Sequence, residues 1–188
     1  MTEVRFGVSA RHIHMSQEDL DQIFGAGYEL TKFKDLFQPG EFASEEKVTI
    51  KTEAGEIKNV RILGPVRPKT QVEISLNDAR GLRINPPIRM SGDIAGSAPI
   101  TVIGPKGEIN LTEGCIIAAR HIHMTTADAE KLGVENNEIV NVRVESQKPG
   151  SMDVYCRVSD AYAFELHIDT DDANAFMLDN ESKIYLDK

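Results

Sequence analysis

Two segments of this chain contain the same five-residue string, RHIHM: SARHIHMS at Ser9–Ser16 and AARHIHMT at Ala118–Thr125. The sequence has five histidines, and these two segments hold four of them. In a β-strand, residues i and i+2 point to the same side. Each H-x-H pair can therefore present two imidazoles together, an arrangement suited to binding a divalent metal such as zinc, cobalt, nickel or iron.

A third protein ligand is expected for each pair, because catalytic zinc sites usually have three protein ligands and one open position. His167, in ELHIDT, is the remaining histidine and the natural third ligand for one pair. A carboxylate would suit the other pair, and Glu73 in TQVEIS is one of several acidic candidates. The pairs themselves are His12 with His14 and His121 with His123. A structural alternative stays open, in which the repeated string is only a strand-to-helix junction.

Short β-like runs recur between turn signals, which favours small barrels or sandwiches over alternating βα units. Gly25–Glu46 is the exception and is interpreted as an irregular excursion. The predicted strands are Glu3–Val8, Lys47–Lys51, Ile57–Leu63, Thr70–Ser75, Ile88–Met90, Ile100–Ile103, Cys115–Ala118, Glu138–Val144, Met152–Val158 and Glu165–Ile168.

Each RHIHM string is followed by a helix-start signal. Ser16 and Thr125 have an acidic residue three positions later, as in a capping box, where a hydroxyl and a carboxylate satisfy free N–H groups at a helix start. The sequence therefore predicts a strand that passes directly into a capped helix at both places. A third short helix is predicted over Thr170–Met177.

A second internal echo relates Asp78–Ile84 to Asp128–Val134, with a spacing different from that of the RHIHM strings. A simple tandem duplication would give a single spacing. We therefore expect a mainly β chain with two related barrel-like units whose strands are partly interleaved in sequence.

Composition excludes several classes of protein. The 188 residues carry a net charge of −9, whereas nucleic-acid binders need clustered Lys and Arg. The sequence contains no apolar run of membrane-spanning length, and MTEVRFGVSARH is not a secretory signal. The two cysteines, Cys115 and Cys156, lack a CxxC partner, so two reduced thiols are expected rather than a cysteine-based zinc site.

The arginines near these segments have different expected roles. Alternation places Arg11 and Arg120 on the side of the strand opposite the histidines, where each would form a salt bridge. Arg67 lies in GPVRPKT between two prolines that stiffen the loop, and a rigid guanidinium can hold phosphate or carboxylate with two hydrogen bonds. The residues alone still favour an ordinary surface arginine at this position. No phosphate loop, GxSxG motif or Cys–His signature is present, and Ser91–Pro99 has no motif that indicates chemistry.

Taken together, several motifs resemble the PduL-type phosphate propanoyltransferases, also called phosphotransacylases. They are GVSARHIHMS, NVRILGPVRPKTQVEIS, NDARGL, IRMSGDI, ARHIHM and ELHIDTDDANA, in order along nearly the whole chain. The resemblance implies an enzyme that interconverts a short-chain acyl-CoA plus phosphate with an acyl phosphate plus CoA. The acyl group would be acetyl or propanoyl.

The resemblance also implies a fold of two small β-barrels capped by short helices. One domain would comprise residues 1–10 with 119–188, and the other residues 11–118. Two divalent metal ions, usually zinc, would be bound, one by His12, His14 and Glu73 and the other by His121, His123 and His167.

Substrate-binding positions follow from the same resemblance. Arg67 matches the phosphate-binding arginine of the family, and CoA contacts fall at Ser9, Lys34, Arg61, Leu63 and Asn174. The implied reaction is direct attack of phosphate on the thioester, without an acyl-enzyme.

Other expectations concern the setting of the protein. Microcompartment members of the family often carry an N-terminal helical extension, whereas only Met1–Arg5 precede FGVSARHIHM, so a free cytoplasmic bacterial enzyme is expected, as a homodimer. Two alternatives stay open: a dinuclear metal-dependent hydrolase, and a non-catalytic metal- or ligand-binding barrel.

Overall fold

The computed structural model describes all 188 residues and contains fifteen strands and four short helices. The strands are β1 (Thr2–Val4), β2 (Phe6–Ser9), β3 (His12–His14), β4 (Lys32–Asp35), β5 (Phe42–Lys51), β6 (Glu56–Gly64), β7 (Gln71–Glu73), β8 (Ile88–Arg89), β9 (Ala98–Gly104), β10 (Gly107–Ala118), β11 (His121–Met124), β12 (Ile139–Glu145), β13 (Gly150–Val158), β14 (Glu165–Asp169) and β15 (Lys183–Leu186). The helices are α1 (Gln17–Phe24), α2 (Leu76–Leu82), α3 (Thr126–Leu132) and α4 (Thr170–Ala175).

The chain forms two compact units. The terminal unit comprises Met1–Ala10 and Ala119–Lys188, and the central unit comprises Arg11–Ala118. Each unit has its own cluster of buried apolar side chains.

The central unit is a closed six-stranded barrel. Its ring of paired strands runs β3–β6–β5–β9–β10–β7 and returns to β3, which leaves no open edge among these six strands. Alternation along β5 sends Val48 and Ile50 inward, as the period of a half-buried strand requires. Helix α1 contributes Leu20 and Ile23 to the same core. The barrel interior is thereby filled with branched aliphatic side chains.

The terminal unit is a nearly closed barrel-like sheet. Its strand order is β1–β15–β12–β13–β11–β14–β2, so β1 and β2 are at opposite edges of the sheet. Only Arg5 separates β1 from β2 along the chain, so one continuous segment supplies both edge strands, with β1 paired to β15 and β2 paired to β14. The expectation of a mainly β fold with two barrels and short helices is therefore confirmed.

Both RHIHM strings form a strand that leads into a capped helix, as predicted. The Ser16 hydroxyl accepts a hydrogen bond from the Asp19 N–H at the start of α1. At the start of α3, Thr125 and Asp128 form a full capping box. These caps fix the point at which each histidine strand ends.

Three local predictions need correction. Gly25–Glu46 is not irregular, because it contains β4 and the first residues of β5. All four residues of β4, KFKD, are exposed, so the strand lacks the alternation that would have revealed it. The predicted strand Glu3–Val8 is broken at Arg5, and helix α4 ends at Ala175 rather than at Met177.

The helices are all short. The longest, α1, has eight residues, and no helix has the length and apolarity that crossing a bilayer requires.

Candidate functional site

A buried cluster of three side chains lies in the central unit. His12 and His14 are on β3, and Glu73 is on β7 directly opposite His12 in the antiparallel pairing. Each side chain offers a ligand atom within 4.8 Å of the other two, and all three residues are buried. His12 Nε2 is 3.5 Å from Glu73 Oε2. The predicted first metal-binding group is therefore brought together in space.

Two neighbours hold the Glu73 carboxylate. Its Oε1 accepts hydrogen bonds from Gln71 Nε2 at 2.6 Å and from Ser91 Oγ at 2.8 Å, which leaves Oε2 directed toward His12. Burial alone would raise the pKa of Glu73, but the charge and hydrogen bond of His12, the charge of His14 and the Ser91 hydrogen bond outweigh burial and hold the pKa well below its usual range. The site therefore keeps this carboxylate ionised, as a metal ligand requires.

His14 is suited to the neutral form. Burial, reinforced by the nearby charges of His12 and Arg67, lowers the pKa of His14 well below its usual value. Its Nδ1 is buried and has no hydrogen-bond partner. A buried polar atom without a partner is costly unless something binds it, and neutral imidazole nitrogen is a good ligand for zinc and related metals. The donor set of this cluster therefore fits a divalent metal.

Arg67 belongs to the same network of contacts. Its backbone N–H donates to the Met15 carbonyl at 2.8 Å, which ties the loop to the end of β3. Its guanidinium donates to Ser91 Oγ and to Glu41 Oε1, both at 3.1 Å. The side chain is partly buried, 29% exposed, and these two contacts hold it in place, which favours a role in the site over that of an ordinary surface arginine. Arg67 is joined to Glu73 through the shared Ser91 hydroxyl.

A second cluster lies in the terminal unit and has only imidazole ligands. His121 and His123 are on β11, and His167 on β14 is directly opposite His121. Their ligand atoms also lie within 4.8 Å of one another. His121 Nδ1 is 2.8 Å from the Ala119 carbonyl, which can only accept, so in the neutral ring Nδ1 is the donor and Nε2 carries the lone pair. The ring of Tyr162 stacks on His123 at 4.0 Å.

The two clusters share one register plan. In each unit the first histidine of the H-x-H pair is opposite the third residue of the cluster, and the second histidine is opposite the residue two positions earlier on that partner strand. The pairs are His12–Glu73 and His14–Gln71 in the central unit, and His121–His167 and His123–Glu165 in the terminal unit. In both units a helix N-cap, Ser75 or Asp169, follows the third residue by two positions.

This plan corrects the interpretation of the second sequence echo. Asp78 and Asp128 are each the acidic member of a capping box, in α2 and α3. Helix α2 follows the Glu73 strand, whereas α3 follows a histidine-pair strand, so the two helices do not occupy equivalent positions. The similarity between these two sequence segments comes from their shared helix-capping residues. The relation between the two units is seen instead in the pairing register of their histidine strands.

Both RHIHM arginines form the predicted ion pairs. Arg11 holds Asp78 with two contacts, Nε to Oδ2 at 2.9 Å and Nη2 to Oδ1 at 2.7 Å, and these raise the pKa of Arg11. Arg120 Nη1 lies 3.8 Å from Asp172 Oδ1. Burial raises the pKa of Asp172.

The residues expected to contact CoA fall into two groups. In the central unit, Lys34 on β4 and Leu63 on β6 flank the same residue of β5, Ala43, and Arg61 lies two positions before Leu63. The Arg61 guanidinium donates to the Ser44 carbonyl and lies 5.0 Å from the centre of the Phe33 ring. In the terminal unit, Ser9 pairs with Asp169, the N-cap of the helix that carries Asn174.

Sequence reasoning did not identify Gln71, Ser91, Glu41 or Glu165. Alternation could have drawn attention to Gln71 and Glu165, since each lies two positions before a predicted ligand on the same strand face. Ser91 and Glu41 gave no such signal, because both reach the site from irregular segments.

These features define a mainly β protein with two barrel-like units, each carrying a largely buried three-residue cluster whose donor atoms would suit a divalent metal. The model of the phosphate propanoyltransferase family matches residues 5–179. A phosphate propanoyltransferase of Thermotoga maritima is 52% identical over 96% of this chain and 87% of its own length. Relatives with the same name from Lachnoclostridium phytofermentans and Clostridioides difficile are 54% and 51% identical, over 92% and 89% of this chain and 81% and 80% of their own lengths. The chain belongs to the phosphate propanoyltransferase family, and is therefore an acyltransferase, which confirms the resemblance seen in the sequence.

Proposed function

We propose that this chain transfers a short acyl group, propanoyl or acetyl, between coenzyme A and inorganic phosphate. Membership of the family supports the reaction class. The observation that carries the proposal is the continuous set of contacts from Arg67 through Ser91 to Glu73, because it joins an anion-binding guanidinium to a metal-binding carboxylate.

Two divalent metal ions are part of the proposal, with zinc the expected metal. His12, His14 and Glu73 would hold one ion, and His121, His123 and His167 the other. When bound, such an ion supplies Lewis acidity, which neutralises phosphate charge and polarises a thioester carbonyl.

Arg67 binds and orients the phosphate. Its planar guanidinium presents several N–H donors in a fixed fork that matches two phosphate oxygens. Glu41 and Ser91 hold the guanidinium group in place, so the Arg67 side chain loses little conformational entropy when phosphate binds. A phosphate oxygen then attacks the carbonyl carbon of the acyl-CoA, the C–S bond breaks, and CoA leaves as the thiolate while the acyl group stays on phosphate.

No acyl-enzyme is needed in this proposal. Both cysteines are buried, and burial raises the pKa of Cys115 to about 12 and that of Cys156 to about 11. A thiol that holds its proton this strongly is a poor nucleophile at neutral pH. Direct transfer to phosphate therefore agrees with the chemistry of the side chains.

The CoA moiety is proposed to contact Ser9, Lys34, Arg61, Leu63 and Asn174. Lys34 is exposed and cationic, and the Arg61 guanidinium lies over the ring of Phe33, the residue before Lys34; both cations suit the phosphates of CoA. Acetyl and propanoyl differ by one methylene, a difference worth about 1 to 3 kcal/mol of discrimination. Both acyl-CoA substrates are therefore expected to react.

The test is CoA release from acetyl-CoA and propanoyl-CoA with and without phosphate, with acyl phosphate measured as the second product. Release that requires phosphate, with matching acyl phosphate, supports the transferase. Release that is independent of phosphate would indicate a hydrolase instead, and no release from metal-replete protein would indicate a binding module.

A further inference from the structure

Glu165 is a buried carboxylate next to the all-histidine cluster of the terminal unit. It lies on β14, two positions before His167 and directly opposite His123. The residue is 4% exposed, and its Oε2 is 3.0 Å from His167 Nε2, an ion-pair distance without the alignment of a hydrogen bond. Its Oε1 is 3.3 Å from Nε of Arg5, whose side chain is 61% exposed.

The neighbouring strand leaves room for this carboxylate. Gly7 on β2 pairs with His167, and a Cβ added to Gly7 would lie 3.1 Å from Glu165 Oε1. A side chain at position 7 would therefore crowd the carboxylate, whereas glycine lets it stay beside the His167 ring.

The two clusters differ in the negative charge that their ligands provide, and Glu165 bears on this difference. The central cluster contains one carboxylate, Glu73, within its set of ligands. The terminal cluster has three imidazoles and no charge of its own in the neutral form. A buried divalent cation is costly without a compensating negative charge, and Glu165 is the carboxylate in contact with a member of that cluster.

The shared register gives an independent argument. Glu165 occupies the place that Gln71 occupies in the central unit, opposite the second histidine. Gln71 donates a hydrogen bond to the acidic ligand Glu73, whereas Glu165 places a carboxylate against the basic ligand His167. In each unit the supporting residue is therefore complementary to its ligand: an N–H donor faces a carboxylate in the central unit, and a carboxylate faces an imidazole in the terminal unit.

We propose that Glu165 is a positioning residue for the terminal metal site, which orients His167 and supplies the negative charge that its imidazole ligands lack. The inference rests on the proposed metal sites. Outer carboxylates that accept the second ring N–H of a metal-bound histidine typically contribute about 10- to 100-fold to metal affinity, and the Glu165 contact with Nε2 would act in this way with Nδ1 as the ligand atom.

The experiment uses Co²⁺ as a probe, because its visible absorption reports ligand geometry. A His12→Ala, His14→Ala background disables the central site, so that the remaining bound Co²⁺ belongs to the terminal one. Glu165→Gln is compared in that background with Arg5→Ala, which removes a second partner of Glu165 and leaves the contact with His167. Thermal unfolding without metal checks that each variant is folded.

We expect Glu165→Gln to weaken Co²⁺ binding about 10- to 100-fold and to shift the visible bands, while Arg5→Ala changes neither. Equal effects of the two variants, or no effect of Glu165→Gln, would overturn the inference and leave the metal site intact. A background that binds no Co²⁺ would instead overturn the terminal metal site, and this inference with it. If Glu165→Gln does not fold, Glu165→Asp provides the test, since it keeps the charge but withdraws it from His167: weaker binding supports the inference, and unchanged binding overturns it.

Discussion

Arg67 shows how a single side chain gains a role from its neighbours. Two prolines flank it, its backbone N–H is bonded to the Met15 carbonyl, and Glu41 and Ser91 accept from its guanidinium. A lysine at this place would keep the positive charge but lose the planar fork. The distinction between charge and geometry can therefore be tested at this residue.

We expect Arg67→Lys to lower kcat/KM for phosphate about 10- to 100-fold, since a charge-assisted hydrogen bond contributes about 1.5 to 3 kcal/mol. Initial rates at varied phosphate concentration and saturating propanoyl-CoA measure the effect. Arg80→Lys, on the exposed side of α2, is the matched control and should leave the rates unchanged. Unaltered phosphate kinetics in Arg67→Lys would remove Arg67 from the proposed site.

The two thiols should be unreactive while the protein is folded. Burial raises the pKa of Cys115 to about 12, and burial with the nearby Glu138 charge raises that of Cys156 to about 11, from an ordinary value of 9.0. Alkylation with iodoacetamide at pH 8, followed by mass spectrometry, should therefore label both cysteines only after denaturation. Rapid labelling of the native protein at pH 8 would contradict this expectation.

The folded state also keeps the two thiol protons to higher pH than the unfolded chain does, so the free energy of unfolding should decline as pH rises above about 9.

Some site residues were predictable because they depend on local geometry. The i, i+2 spacing was enough to place His12 beside His14, and His167 was the one histidine left over. Glu73 was only one of several acids, because its choice depends on the pairing of β3 with the distant strand β7. Ser91 enters through an irregular segment and was not predicted. Contacts made by tertiary pairing leave no trace in local periodicity.

Close packing between elements also depends on small residues. Helix α1 lies against Gly104, the last residue of β9, where the Lys106 N–H donates to the Ile23 carbonyl at 2.9 Å. A Cβ at Gly104 would lie 2.8 Å from both Ile23 Cβ and the Ile23 carbonyl oxygen. Glycine at this point therefore permits the contact between α1 and the barrel wall.

Gly104→Ala should lower the free energy of unfolding by about 1 to 3 kcal/mol, the usual cost of overpacking. Gly107→Ala, on the other side of the same turn, is the control: its added Cβ would meet only the Gln22 carbonyl at 3.7 Å, an ordinary contact. Urea unfolding of the two variants measures the difference. Equal stability of Gly104→Ala and the parent protein would show that α1 can shift without cost.

Boundary signals account for only part of what was predicted, because α2 was missed although Ser75 and Asp78 give it the same capping signal as the two helices after the RHIHM strings. The capped helices after Met15 and Met124 were found from a hydroxyl and an acid three positions apart. Strand β4 was missed, because its exposed charged side chains show no alternation and only its backbone pairing with β5 makes it a strand. Strand β15 at the end of the chain was not predicted either.

Considered as a whole, the molecule is an anion that is proposed to bind two anionic substrates. Its net charge is −9, so the overall field opposes the approach of CoA and phosphate. Under the proposed function, Arg67, Lys34 and Arg61 of the central unit would supply part of the positive charge that binding requires. The proposed metal ion of each unit would add to it, so metal content is the property on which the proposed activity depends most strongly.

The measurement that tests this dependence is acyl phosphate formation from propanoyl-CoA and phosphate, before and after chelation and again after zinc is restored. Metal content is determined in parallel by elemental analysis. We expect activity to disappear with the metal and to return as two zinc ions bind per chain. Full phosphate-dependent transfer by protein verified to be metal-free would contradict the proposed mechanism, although not the fold or the family.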